Sequence, residues 1–177
     1  MSSAWGTLEL VPATDRLDLL ADPVAAAIGM VPDSLVTEID PALADTAALC
    51  DAYGISMDVA ANCVVVAGSR GGLTRYAACV VLATTRADVN GLVRKRLDAR
   101  KASFAPMDHA VTLSGMEYGA ITPVGLPDGW LLLVDAAVVS TTQVVVGSGL
   151  RRSKLVVPGA ALTGLPQAEV VLQLGRA

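Results

Sequence analysis

Ser114-Gly115-Met116-Glu117-Tyr118-Gly119-Ala120-Ile121-Thr122-Pro123-Val124-Gly125 is the stretch around which the chain is organised. Three glycines and a proline within it prevent one continuous helix or strand. Gly115, Gly119 and Gly125 permit backbone conformations or close approaches that a Cβ would block. The segment is either a shaped floor whose N–H and C=O groups face a ligand, or a pair of structural turns. Glycine spacing alone favours the turns.

Working outward, Pro106 opens a short helix before this stretch, and Trp130–Val134 reads as a strand after it. Asn62–Ala67 and Arg75–Ala83 are β-branched, apolar runs separated by the glycine-rich residues 68–74, which predicts a hairpin. Their unbroken hydrophobicity predicts central strands covered on both faces, or a closed sheet. Asp88 predicts the N-cap of a helix over 89–99, with Val89, Leu92, Val93 and Leu97 on one face. Further strands are expected at Leu35–Ile39, Gln143–Val146 and Lys154–Val157, with Glu169–Leu174 closing the sheet. Short helices are expected to start at Asp22-Pro23, Thr46 and Pro158, the second ending at Gly54. Residues 1–22 read as an N-terminal extension and residues 23–177 as a single domain.

Composition supports a folded domain. The 177 residues are 53% apolar but hold one Phe, two Trp and three Tyr, so the core is built from Val, Ala and Leu. Apolar runs such as 77–83 are far shorter than a membrane span requires, so no membrane partner is expected. No basic region precedes Glu9, and Cys50, Cys63 and Cys79 form no CxxC pair, so a cytoplasmic protein is expected. Net charge is −4, yet bases cluster at Arg86, Arg94, Lys95, Arg96, Arg100 and Lys101, and again at Arg151, Arg152 and Lys154. Such local clusters suit either a solvated helix face or contacts to a phosphate backbone.

His109 is the only histidine, and neither a metal site nor a Ser–His–Asp system is supported. Asp135, at the end of a strand, either caps the next turn or orients a ligand hydroxyl. Ser114, Thr122, Ser148 and Ser153 can donate hydrogen bonds but are common in turns. Cys63 starts a strand and is simplest as a structural thiol.

Taken in order, the segment 114–125, Val134-Asp135, Gly147-Ser148-Gly149-Leu150-Arg151 and Leu155-Val156-Val157 resemble the YbaK family of aminoacyl-tRNA deacylases, similar to the editing domain of some prolyl-tRNA synthetases. The match runs from about Pro23 to Leu172. It implies an α+β fold with a strongly curved mixed, partly barrel-like sheet surrounded by short helices. It also implies hydrolysis, in trans, of the ester linking a wrong amino acid to tRNA. The partners implied are the aminoacyl-tRNA 3′ end and an aminoacyl-tRNA synthetase. No cofactor is implied, and exposed strand edges leave a homodimer open.

The resemblance places Cys63, Gly115, Gly119 and Asp135 at the catalytic positions. It places Ser114, Tyr118, Ile121, Thr122, Pro123, Gly125, Ser148, Gly149, Arg75 and Arg151 around the substrate, and Arg94, Lys95, Arg100 and Lys101 against tRNA. The chain departs from the family at Cys63, where relatives usually carry a lysine. A neutral thiol replaces neither the charge nor the three donors of an ammonium group. Three readings follow: a deacylase with Arg75 or Arg151 as the cation, a tRNA-binding homologue without turnover, or another use of the pocket with Cys63 as nucleophile.

Overall fold

The computed structural model describes residues 4–177; the first three residues of the expected extension lie outside the described residues. In chain order the elements are β1 (Val11–Pro12), α1 (Asp22–Ala27), β2 (Leu35–Glu38), α2 (Thr46–Tyr53), β3 (Ala61–Arg70), β4 (Leu73–Leu82), β5 (Arg86–Ala87) and α3 (Arg94–Arg96). They continue as β6 (Lys101–Phe104), α4 (Met107–Ser114), β7 (Leu131–Asp135), α5 (Ala136–Val139), β8 (Gln143–Gly147), β9 (Ser153–Pro158), β10 (Ala168–Val171) and β11 (Gly175–Arg176).

Among the described residues the strands form two open sheets and one small ribbon. The order is β1-β2-β9-β8 in the first sheet, β10-β7-β4-β3-β6 in the second, and β11-β5 in the ribbon. The first sheet is antiparallel, whereas the second is mixed, with β7 parallel to both β4 and β10. The fold is therefore α+β, but the expected strongly curved, partly barrel-like sheet is not present. Closure requires ladder hydrogen bonds between terminal strands. Here β1 and β8 end one sheet, β10 and β6 end the other, and among the described residues a lone bridge from Ala60 to Val145 links them. The tract expected to close the sheet becomes β10, an edge strand beside β7.

The central strands of both sheets are covered on both faces, which accounts for the unbroken apolar runs. On β4, Ala78 and Val80 point into the main core, shared with Val36, Val144, Val146, Leu155 and Val157 of the other sheet. The alternate residues Ala77, Cys79 and Val81 pack with Val93, Leu97 and Ala99. On the outer face of the first sheet, Val145 and Val156 meet Leu49 and Cys50 of α2. The period-two alternation is present, but both halves of it are apolar. Residues 13–21 supply Ala13, Leu19, Leu20 and Ala21 to the main core.

Local differences from the sequence reading have identifiable causes. The hairpin strands run on to Arg70 and Leu73, leaving a two-residue turn at Gly71-Gly72. Asp88 does cap, accepting from the amides of Gly91 and Leu92, but it starts a π-helical turn, Val89–Val93, and α3 is short. Asp98 then takes a left-handed conformation with φ 48°, and the chain turns back to place β6 beside β3. At α2 the cap is Asp45 rather than Thr46, with its carboxylate accepting from the amides of Ala47 and Ala48. Among the described residues no helix is long and apolar enough to cross a membrane.

Gly147, the last residue of β8, is where the first sheet meets the glycine segment. A Cβ there would lie 2.5 Å from the Ala120 carbonyl oxygen and 2.8 Å from that of Ile121. Replacing glycine by alanine gains about 0.4–1 kcal/mol through the unfolded chain, but forcing a methyl into packed backbone costs about 1–3 kcal/mol. Gly147→Ala is expected to lower stability by about 1–2 kcal/mol net, read from the midpoint of urea unfolding with an unchanged m-value.

Candidate functional site

The site forms where the ends of β3, β8 and β9 face the glycine segment and the N-terminus of α2. Gly115 ends α4 in a left-handed conformation, and the segment then folds onto the turn after β8. The Glu117 amide donates to the Gly149 carbonyl at 2.8 Å, and the Gly149 amide donates to the Ala120 carbonyl at 2.8 Å. These bonds hold residues 117–121 as the rim of a cavity of about 400 Å³, within the range of small-molecule sites.

Of the residues singled out from sequence, Cys63, Tyr118, Gly119, Ile121 and Arg151 line this cavity. Arg151 is held in place. One guanidinium nitrogen donates to the Tyr118 carbonyl at 2.9 Å and the other to the Pro41 carbonyl at 3.1 Å, with the guanidinium 5.6 Å from the Tyr118 ring centroid. A Cβ on Gly119 would lie 2.6 Å from Arg151 Nη1, so the missing side chain makes room for the guanidinium.

Other expected site residues lie elsewhere. Asp135 is buried, caps α5 through the Ala137 amide at 3.4 Å, and accepts from the Gly175 amide at 3.0 Å. Ser148 is buried 2.7 Å from the Ser153 hydroxyl and donates to the Leu150 carbonyl at 2.9 Å. The Ser114 hydroxyl accepts from the Met116 amide, and Gly125 packs on the backbone of Pro23. Thr122 is fully buried with a hydroxyl that has no hydrogen-bond partner among the described residues, and neither it, Pro123 nor Gly149 is part of the cavity wall. Arg75 faces a separate small depression beside Asp98. Cys63 pairs with Val80, not Cys79, which puts the two thiols on opposite faces of the sheet.

Arg94, Arg100 and Lys101 come together around a second, larger depression of about 760 Å³, with Asn90, Ser69 and His109. Lys95 is not part of its wall. The turn at Asp98 creates this grouping, by folding β6 back alongside the helical segment.

Sequence reasoning misses Lys154. Its place beside Arg151 and Arg152 suggests an exposed base, yet it is 6% exposed and lines the cavity beside Arg151, Asn62 and Asp45. It lies two residues before buried Val156 on β9, and i and i+2 share a face. That parity is the available signal. Its ammonium makes no hydrogen bond or ion pair among the described residues. Burial pulls its pKa down to about 8, opposed by Asp45 and assisted by Arg151. The Cys63 thiol is pushed strongly upward by burial and by Cys79, so it stays protonated at neutral pH and lacks the thiolate a nucleophile needs.

The fold and this cavity define an α+β domain that presents a small chamber walled by apolar and polar groups in similar measure, with cationic groups at its edge. The sequence profile of the aminoacyl-tRNA editing domain matches residues 40–165, and the chain belongs to that family. The resemblance drawn from sequence is thereby borne out. A crystal structure described as that of a candidate trans-editing enzyme for prolyl tRNA synthetase has 18% identity and a TM-score of 0.72, covering 96% of this chain and 100% of that one. The hypothetical protein APE2540 has 23% identity and a TM-score of 0.65, covering 75% and 85% respectively. A scaffold protein used for epitope backbone grafting has 19% identity and a TM-score of 0.73, covering 89% and 97%. At these identities the likeness shows the fold alone. No curated protein matches the chain.

Lys154 makes stability depend on pH. Its pKa falls from 10.5 unfolded to about 8 folded, so between those values the unfolded chain binds more protons and stability rises with pH. The penalty is complete below about pH 8 and relieved by about pH 10.5. Lys154→Met is expected to raise stability at pH 7 by up to about 3 kcal/mol, an advantage that shrinks toward pH 10.5. Urea unfolding of both proteins across that range measures it.

Proposed function

We propose that this chain is an editing deacylase that hydrolyses the ester of mischarged tRNA in trans. One observation carries the reading: the family's glycine segment forms the rim of a chamber of about 400 Å³ with Arg151 and Lys154 at its edge. Water adds to the ester carbonyl, the tetrahedral oxyanion collapses, and the bond from the carbonyl carbon to the ribose oxygen breaks. The products are the free amino acid and an uncharged tRNA end bearing its hydroxyl. Tyr118, Gly119 and Ile121 bound the aminoacyl end, and the positioned water and the substrate's ribose hydroxyl supply the rest, as the family resemblance implies. Arg94, Arg100 and Lys101 provide the surface for the tRNA backbone. A synthetase is the natural source of the mischarged substrate.

A second reading is a binder without turnover. The protonated Cys63, standing where family members carry lysine, favours it. A panel of alanyl-, cysteinyl-, seryl- and threonyl-tRNAs separates the two. Hydrolysis of at least one by the wild type is expected. Turnover by Cys63→Lys alone would instead identify a binding homologue with an intact chamber.

Neutralising Arg94 and Lys101 together is expected to weaken tRNA binding. The slope of log K against log salt should fall by about 1 to 2, one increment for each phosphate that is no longer neutralised. Filter-binding titrations at several salt concentrations test this, and an unchanged slope would place the tRNA elsewhere.

A further inference from the structure

Three cationic or nucleophilic groups stand at the chamber: Cys63, Arg151 and Lys154. Cys63 is held as a thiol by burial. Arg151 spends both terminal guanidinium nitrogens on the carbonyls of Tyr118 and Pro41, bracing the rim. Lys154 differs from both. It is almost entirely buried, it reaches the chamber wall, and its ammonium is unpartnered among the described residues. A buried ammonium is costly unless it has a counter-charge or hydrogen-bond acceptors, and Lys154 borders the chamber.

Resting on the deacylase reading above, we propose that Lys154 is the catalytic cation of this site, donating from its ammonium to the ester carbonyl oxygen and holding the negative charge that develops as water adds. No proton leaves Lys154 in this step. As water adds it gives up a proton to solvent and the carbonyl π electrons move onto the oxygen facing Lys154; they return as the ribose oxygen departs and takes a proton from solvent. Three rotatable donors on a flexible stem suit an oxygen that moves as the carbonyl becomes tetrahedral. A preorganised donor aimed at the developing oxyanion acts mainly on the transition state.

The groups that face the ammonium set its charge. Asp45 at the N-terminus of α2 and Cys50 within α2 favour the protonated form, while Arg151, after β8, opposes it. Cys63 on β3 and Tyr118 on the rim share the chamber, and burial together with Cys79 keeps the Cys63 thiol protonated at pH 7. With a pKa of about 8, Lys154 is mostly charged at neutral pH and loses its proton just above it. Because the charged form is the active one, turnover corrected for spontaneous ester hydrolysis falls as pH rises through about 8.

The experiment compares wild type and Lys154→Met on the tRNA panel from pH 6 to 9.5. The variant removes a largely buried charge and is expected to keep the fold, which circular dichroism checks. A loss of about a hundredfold in kcat with KM little changed, together with loss of the alkaline fall in rate, is the expected result. Turnover within threefold of wild type, or a wild-type rate that climbs through pH 8, overturns Lys154 and leaves the deacylase reading standing. If the wild type hydrolyses no member of the panel, that reading fails. Lys154 is then judged by NMR of its amine, distinguished from Lys95 and Lys101 by substitution, on adding 3′-aminoacylamino-3′-deoxyadenosine. A shifted Lys154 titration retains it as the contact for the aminoacyl end, and an unmoved one overturns it.

Discussion

The turn after β8 accepts from the Glu117 amide and donates to the Ala120 carbonyl, both through the backbone of Gly149, and the chamber exists because of that pair of bonds. They fasten a glycine-rich segment, with little regular structure of its own, to the end of a rigid sheet. Gly147 lets the sheet approach closely enough for the bonds to form. Below the rim, Met116 and Val124 bury into the main core, so the same segment is tied to packing on one side and to hydrogen bonds on the other. Arg151 adds a third tie, from the rim to the Pro41 carbonyl. A site carried on a loop acquires precision when its backbone is fixed in this way.

Covering both faces of the central strands is the second determinant. It accounts for a core rich in valine and alanine, because small β-branched side chains let sheets and short helices approach closely from each side. It also leaves no solvent face for a charged residue on β9. Lys154 occupies the α2 side of that strand, the side of Val156, at the end where the apolar layer gives way to the chamber. Strand parity therefore delivers its ammonium to the site, although charged strand residues ordinarily face water.

Much of this was legible in the sequence. The hairpin, the caps at Asp88 and Gly54, and the family itself followed from local chemistry and ordered motifs. Sheet closure did not, because unbroken hydrophobicity is the same for a covered open sheet and a barrel; only strand pairing distinguishes them. β6 was hidden because Lys101-Ala102-Ser103-Phe104 has no apolar run, and its pairing with β3 depends on the left-handed turn at Asp98. Family order carried five residues to the chamber wall, whereas Asp135 and Ser148, reached by the same route, have their oxygens bonded in local structure. Motif order gives neighbourhood along the chain, and the direction of a side chain has to come from parity and packing.

The chamber's charges favour an electron-rich guest. Lys154 and Arg151 place two cations against one carboxylate, Asp45, and that carboxylate already accepts from two amides at the start of α2. The two cations are not equivalent. A guanidinium keeps its charge at every working pH and its planar fork suits fixed carbonyl acceptors, which is the use made of Arg151. An ammonium with a lowered pKa has its donors unspent and its charge set by the cavity around it. Burying such a group costs stability, and packing alone would have been served better by methionine or leucine. The cost is consistent with selection acting on what the ammonium meets in the chamber rather than on the fold. By the same logic, a thiol at position 63 is compatible with the site: a second ammonium there would add repulsion to a group already short of counter-charge, whereas Cys63 completes the apolar wall without adding any.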